Sequence, residues 1–270
     1  MRPGFINPML SQPGEIPEEG HVYELKYDGI RAQVVVINKT IEIFSRKRRL
    51  ISKQFPELLA EQTHLDDGVY DGEIFVLKDG KPDFMLALSR LNHAKPGWGY
   101  PAQCVLFDRM HNGKERIVRT PWSYRREQLE AGFSDHPRYR LSELFGDGHS
   151  LFSGVTSLGL EGVMAKRTDS PYLPGRRSDS WLKIKVRKQM NAYIVGHTNG
   201  KGDRERLGAL HLADNNGEYI GKVGSGLSDT TIERVLDLIE DQPNIPCRIS
   251  YTYKTEAGLR EPVFMHLRED

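Results

Sequence analysis

Apolar positions along the first two thirds of the chain recur mostly every second residue, the spacing of a strand with one face against a core. Val22-Tyr23-Glu24-Leu25 leads into a turn, and Arg31-Ala32-Gln33-Val34-Val35-Val36-Ile37 leaves it. Further strand-like runs cover 41–45, 69–77, 103–109 and 162–167, and Asn38-Lys39 and Asp79-Gly80 fall where hairpin turns belong. Helical spacing replaces the alternation over 52–62, 83–92, 123–132 and 150–158. The mixture predicts an α+β domain of two antiparallel sheets with flanking helices over residues 1–188.

After the basic stretch 183–188 the pattern changes. Short runs at 193–196, 208–212, 219–223 and 248–253, punctuated by glycine, suit a small β-barrel over residues 189–270. One helix interrupts them: Asp229 is the expected cap of 230–239, and Ile232, Val235, Leu236 and Ile239 share a face. A hinge is expected near 187–190. No internal repeat or low-complexity tract stands out.

With 270 residues there is chain enough for two ordinary domains. No run approaches the roughly 18 apolar residues of a membrane helix, and the Pro-rich start lacks the apolar stretch of a signal peptide. A soluble, cytoplasmic chain without membrane contact is expected. Cys104 and Cys247 stand far apart in apolar contexts and read as free thiols rather than a disulfide or zinc site. The net charge of +1 does not by itself point to nucleic acid. Clustering changes that picture. Basic patches at 46–49, 125–126, 176–177, 183–188 and 201–206 stand apart from acidic ones at 15–19 and 237–241. One such patch is ordinarily a solvated face, but five flanking candidate cleft residues favour a surface that tracks phosphates.

Lys26 sits at the corner between two strands. An amine is a nucleophile only when neutral, and reaching that form near neutral pH costs an ordinary lysine roughly 4 kcal/mol. Burial and neighbouring cations lower that cost, and Arg31, Lys166, Lys183 and Lys185 are the cations on offer. The same cations would bind a polyphosphate, so attack by Lys26 on the α-phosphorus of a nucleoside triphosphate is the chemistry to test. Taken alone, Lys26 is more simply a surface lysine beside a turn at Asp28-Gly29, and it is the later motifs that overturn that reading.

Lys26-Tyr27-Asp28-Gly29 resembles the KxDG element of the covalent nucleotidyltransferases, which comprise ATP-dependent DNA ligases, RNA ligases and mRNA capping enzymes. Further matches follow in the family's order: Ser45-Arg46, Asp71-Gly72-Glu73-Ile74, Phe107-Asp108, Glu161 to Lys166, and Trp181-Leu182-Lys183-Ile184-Lys185. The ending, residues 260–270, resembles the last ligase motif. The resemblance implies a nucleotidyltransferase domain followed by an OB-fold. It makes Lys26 the nucleophile, and Arg260 and Arg268 the arginines that close over the site to orient pyrophosphate. It places Phe107 against the purine and Glu73 at the ribose or a metal; Glu24, or equally its neighbour's backbone carbonyl, is placed to receive the adenine amino group. Lys166, Lys183 and Lys185 would face the α-phosphate, and Arg31 and Arg46 would meet ribose or nick phosphates. Glu161 and Glu73 would hold Mg²⁺ or Mn²⁺, hard cations that take oxygen ligands. Trp181 reads as packing, and the nine histidines as structural. The family motif commonly continues to a lysine after the acidic pair, whereas this sequence stops at Asp270, which leaves the efficiency of self-adenylylation open.

The reading is an ATP-dependent DNA ligase, similar to the minimal phage and bacterial enzymes or to the ligase module of bacterial end-joining enzymes. It would seal 5′-phosphate/3′-hydroxyl nicks in double-stranded DNA as a monomer; repair or end-joining partners are not legible. Rivals are an mRNA-capping guanylyltransferase, separated by its use of GTP, and an RNA ligase. A nicotinamide-dependent ligase is not expected, because the N-terminal segment for the nicotinamide half is missing. A non-enzymatic rival is a single-strand-binding module on an inactive scaffold, which would form no nucleotide adduct.

Overall fold

Ala32, Val34 and Val36 point to one side of their strand and Val35 to the other, and both sides are buried, which explains the unbroken apolar run there. In the computed structural model, which describes residues 3–59, 65–93, 99–134, 136–200, 207–255 and 258–268, the chain divides into two units, Met1–Ile184 and Lys185–Asp270.

The first unit carries β1 (Leu10–Pro13), β2 (His21–Leu25), β3 (Ile30–Ile37), β4 (Thr40–Ser45), β5 (Gly68–Lys78), β6 (Lys81–Pro82), β7 (Ala102–His111), β8 (Tyr139–Leu141), β9 (Gly162–Arg167) and β10 (Arg177–Lys185, its last residue in the second unit). Its helices are α1 (Phe84–Asn92), α2 (Trp122–Ala131) and α3 (Gly148–Leu158). One sheet runs β1-β10-β9-β2, and the other runs β4-β3-β5-β7-β8 with β6 beside β5. Both sheets are mixed rather than antiparallel, since β1 lies parallel to β10 and β8 parallel to β7. Alternation along a strand records which face is buried but not the direction of its neighbour. Trp181, Tyr172, Trp122, Met110, Val35 and Met9 share one core. The opposite face of β3 packs with Phe55, Leu58, Ala87 and Leu129.

Local signals account for most boundaries. Asn38 and Lys39 both have positive φ, 49° and 61°, which closes the β3–β4 hairpin in two residues; Asp79 and Gly80 do the same between β5 and β6. Asp83 caps α1 by accepting from the Leu86 amide at 2.9 Å, and Asp147 caps α3. The helix expected over 52–62 is instead two short 3₁₀ turns, Ser52–Gln54 and Pro56–Leu58, with residues 60–62 outside the described set. Pro56 excludes Phe55 from the α region and breaks the run. Arg125 and Arg126, expected as a basic patch, are 0 % and 8 % exposed. Arg125 grips Asp108 with Nε and Nη2 at 2.8 and 2.9 Å.

The second unit holds β11 (Lys188–Thr198), β12 (Ala209–Ala213), β13 (Tyr219–Val223), α4 (Asp229–Asp241), β14 (Ile245–Tyr251), β15 (Lys254–Thr255), β16 (Gly258–Leu259) and β17 (Val263–Leu267). Five strands pair antiparallel in the order β13-β12-β11-β14-β17, and β15 and β16 form a separate ribbon. Among the described residues the expected barrel is not closed: β13 and β17 end the sheet, and closure needs those edges to pair. Ile232, Val235, Leu236 and Ile239 of α4 pack against the sheet's buried face, and the cap is Ser228 rather than Asp229, its Oγ accepting from the Thr231 amide at 3.1 Å. The basic patch expected at 201–206 lies outside the described residues. Cys104 and Cys247 are buried free thiols.

Arg125→Met leaves the Asp108 carboxylate, 1 % exposed, without its partner. A loss of about 3–5 kcal/mol is expected, read as a lowered thermal unfolding midpoint.

Candidate active site

β2 ends at Leu25 and β3 begins at Ile30, so residues 26–29 form a corner. The corner is tied down by the Lys26 amide, which donates to the Gly162 carbonyl at 3.0 Å. Gly29 is demanded by a close approach, because a Cβ there would lie 2.3 Å from the Ile74 carbonyl oxygen. The Lys26 ammonium thus projects from a fixed point, and its Nζ donates to Glu161 Oε2 at 2.8 Å across 135 residues of sequence.

Three more ionic groups surround this contact. Arg31 lays Nε and Nη2 on Asp71 at 2.6 and 2.7 Å, and its guanidinium carbon sits 4.7 Å from the Phe107 ring centre. Burial works against the Arg31 charge, but Asp71 more than restores it and raises the guanidinium pKa. Lys166, 1 % exposed, pairs with Glu24 at 2.7 Å, donates to the Phe107 carbonyl at 3.2 Å, and lies 4.3 and 4.6 Å from the Phe107 and Trp181 rings. Burial pulls the Lys166 pKa down in spite of Glu24. Glu73 stands two residues from Asp71 on the same face of β5. Burial, reinforced by Glu161 and Asp71 and only partly offset by Lys26 and Arg31, pushes its carboxyl up to about 7.

The structure thus gathers Lys26, Glu24, Arg31, Glu73, Phe107, Glu161 and Lys166 in the first unit. It departs from expectation in its charges: the side chain against Lys26 is a carboxylate, while Arg31 and Lys166 are each committed to a carboxylate of their own. Glu161 meets Lys26, while Lys166 is drawn across to Glu24 on the neighbouring strand. Lys183 shares its strand face with buried Trp181. Lys185, Arg260 and Arg268 belong to the second unit, where Lys185 pairs with Glu261 at 2.7 Å. Arg46 is exposed beyond the end of β4. Two groups went unassigned in the sequence: Asp71, part of a recognised motif but given no role, and Tyr172, whose only local signal is a tyrosine after proline in a loop.

Two observations bear on ligands. Glu24 Oε1 is buried without a hydrogen-bond partner among the described residues, an arrangement that costs on the order of 1–3 kcal/mol until a donor arrives. An exocyclic amino group is such a donor. Among the described residues no three metal-ligating side chains converge. A pair of carboxylates is nonetheless what Mg²⁺ uses when substrate phosphates and water complete its shell, and Glu73 and Glu161, close enough for the Glu161 charge to help raise the proton affinity of Glu73, fit that role.

The family profile described as ATP dependent DNA ligase domain matches residues 8–185. The chain is 32% identical over 305 residues to the multifunctional non-homologous end joining protein LigD of Pseudomonas aeruginosa, an alignment covering 99% of this chain and 36% of that protein. It is 30% identical to a DNA ligase of Methanothermobacter thermautotrophicus, covering 98% and 56%. The chain therefore spans between a third and just over half of these relatives. Among solved structures, mycobacterial DNA ligase D complexed with ATP and MES superposes with a TM-score of 0.62 at 26% identity, covering 98% of this chain and 95% of that one. A Lig E DNA ligase, described as a minimal DNA-binding scaffold, gives a TM-score of 0.72 at 18% identity over 97% and 99%, a likeness of fold.

A carboxyl held near 7 when folded, against 4.5 ordinarily, binds a proton more tightly in the native state. Its stabilising contribution is present below pH 4.5 and is lost as pH rises through about 7. In thermal melts with chelator present, Glu73→Gln is therefore expected to flatten the decline between pH 5 and 8 and to melt above the parent chain at pH 8.

Proposed function

We propose, starting from the fact that this chain belongs to the ATP-dependent DNA ligase family, that it seals nicks in duplex DNA through a covalent lysyl-AMP intermediate. The observation that carries the reading is the Lys26–Glu161 contact, which joins two motifs distant in sequence at one reactive nitrogen. Lys26 Nζ attacks the α-phosphorus of ATP; an N–P bond forms and the bond to pyrophosphate breaks. The adenylate then passes to the 5′-phosphate at the nick, and the 3′-hydroxyl displaces AMP. Chemistry of this kind consists mostly of alignment and charge neutralisation.

Each residue has work suited to its surroundings. Phe107 offers a flat apolar partner to the purine. Glu24 Oε1 accepts from the adenine amino group, which supports ATP over GTP, whose guanine presents a carbonyl at that edge. Arg31 and Arg46 meet ribose or nick phosphates, and Lys166 and Lys183 lend positive charge near the α-phosphate. Glu73 and Glu161 would hold Mg²⁺ or Mn²⁺, which supplies neutralisation of the transferred phosphate's charge.

The second unit, an antiparallel sheet with a helix on its buried face, reads as the OB-fold domain of such enzymes. It would bring Arg260, Arg268 and Lys185 to the nucleotide when the two units close. Grip on DNA then comes from exposed basic residues such as 46–49, so binding weakens steeply with salt. Action as a monomer, in a cytoplasmic setting that keeps the two thiols reduced, completes the reading. The capping, RNA-ligase and inactive-scaffold readings are not favoured by the relatives described above, which are named DNA ligase or LigD.

Intact-mass spectrometry after ATP and Mg²⁺ is expected to show one AMP adduct that GTP does not produce and that Lys26→Ala abolishes; an adduct surviving in that variant would assign the nucleophile elsewhere. Arg260→Ala is expected to slow adduct formation by about tenfold or more while sparing the sealing of a pre-adenylylated nick. Comparing the two assays separates a role in the first step from general damage.

A further inference from the structure

Asp71 is fully buried and holds more than Arg31. Its Oδ2 accepts from Arg31 Nη2 at 2.7 Å and also from the Tyr172 hydroxyl at 2.6 Å, while Oδ1 accepts from Arg31 Nε at 2.6 Å. The same hydroxyl accepts from the Met9 amide at 2.9 Å, and the Met9 carbonyl in turn receives Arg31 Nη2 at 3.3 Å. The Tyr172 ring cannot easily swing, being 1 % exposed and set edge-on to Trp181 at 5.6 Å. Every donor of Arg31 on Nε and Nη2 faces this network, whereas Nη1 makes no hydrogen bond to a described residue and the side chain stays 22 % exposed.

We propose that Tyr172 is a positioning residue for Arg31: by fixing the plane of the Asp71 carboxylate it fixes the guanidinium, so that Nη1 is presented to a phosphate of the nicked substrate. The proposal rests on the ligase reading of this site. A carboxylate anchored only by the arginine it is meant to orient can rotate together with it, and the hydroxyl is the second anchor that prevents this. Burial, together with the Asp71 charge, keeps the phenol protonated and therefore a donor.

The test is a double-mutant cycle on the full chain. Tyr172→Phe, Arg31→Lys and the double variant are compared in single-turnover transfer of AMP from the preformed Lys26 adduct to a nicked duplex. Melting temperatures are recorded for each variant. The expected result is a slowing of about tenfold for Tyr172→Phe, with the double variant within about twofold of Arg31→Lys alone. A merely structural hydroxyl would give losses that multiply, and that outcome overturns the proposal. So does a Tyr172→Phe rate within about twofold of the parent, or an Arg31→Lys variant that transfers normally. If Tyr172→Phe does not fold, Asp71→Asn enters the same cycle under the same criteria. Absence of any Lys26 adduct in the parent chain would instead overturn the ligase reading, and this inference with it.

Discussion

A charge taken out of water must meet its opposite or be lost, and the charged cluster of the first unit is arranged around that requirement. Lys166 and Glu24 are each almost wholly buried and lie 2.7 Å apart. Asp71, at zero exposure, is matched by Arg31, and Asp108 by Arg125. Removing either partner of such a pair leaves an uncompensated charge, so the pairs specify geometry more than they add stability. Each joins segments distant in sequence, and together they fix how β2, β3, β5 and β9 present their side chains to one space.

The aromatic residues complete this arrangement. Phe107 and Trp181 take the guanidinium of Arg31 and the ammonium of Lys166 against their rings, which lets cations enter a region otherwise lined by Val35, Val69 and Met110. One side of the shared core is therefore apolar and rigid, and the other carries alternating charge. Lys26 stands on a corner where Gly29 lets the chain pass close to β5. Among the described residues Glu24 is held by Lys166 through one oxygen, and its other oxygen has no hydrogen-bond partner.

Much of this was legible beforehand, and the reason differs from residue to residue. The β3–β4 hairpin was readable because Asn38-Lys39 is a local turn whose positive φ values depend on two residues alone. α1, α2 and α3 were readable because helical spacing acts within one or two turns, and in α1 and α3 a side-chain cap accompanies it. The 3₁₀ turns near Pro56 were missed because apolar spacing outweighed the proline's veto on Phe55. Arg125 and Arg126 were misread as surface charge, since nothing near them in sequence announces that Asp108 and Ser142 wait in the core.

What the residues determined alone was the chemistry available: a lysine on a glycine corner, carboxylates and cations in a recognisable order, and strands marked by alternation. Those signals are short-range, governed by turn geometry and side-chain period. Which carboxylate meets which cation was decided only by the tertiary structure. Glu161 faces Lys26, Lys166 turns to Glu24, and Tyr172 reaches Asp71 across 101 residues. Partner choice among like-charged candidates depends on strand direction, register and crossing of the two sheets, and those are set by how the whole unit buries its apolar faces.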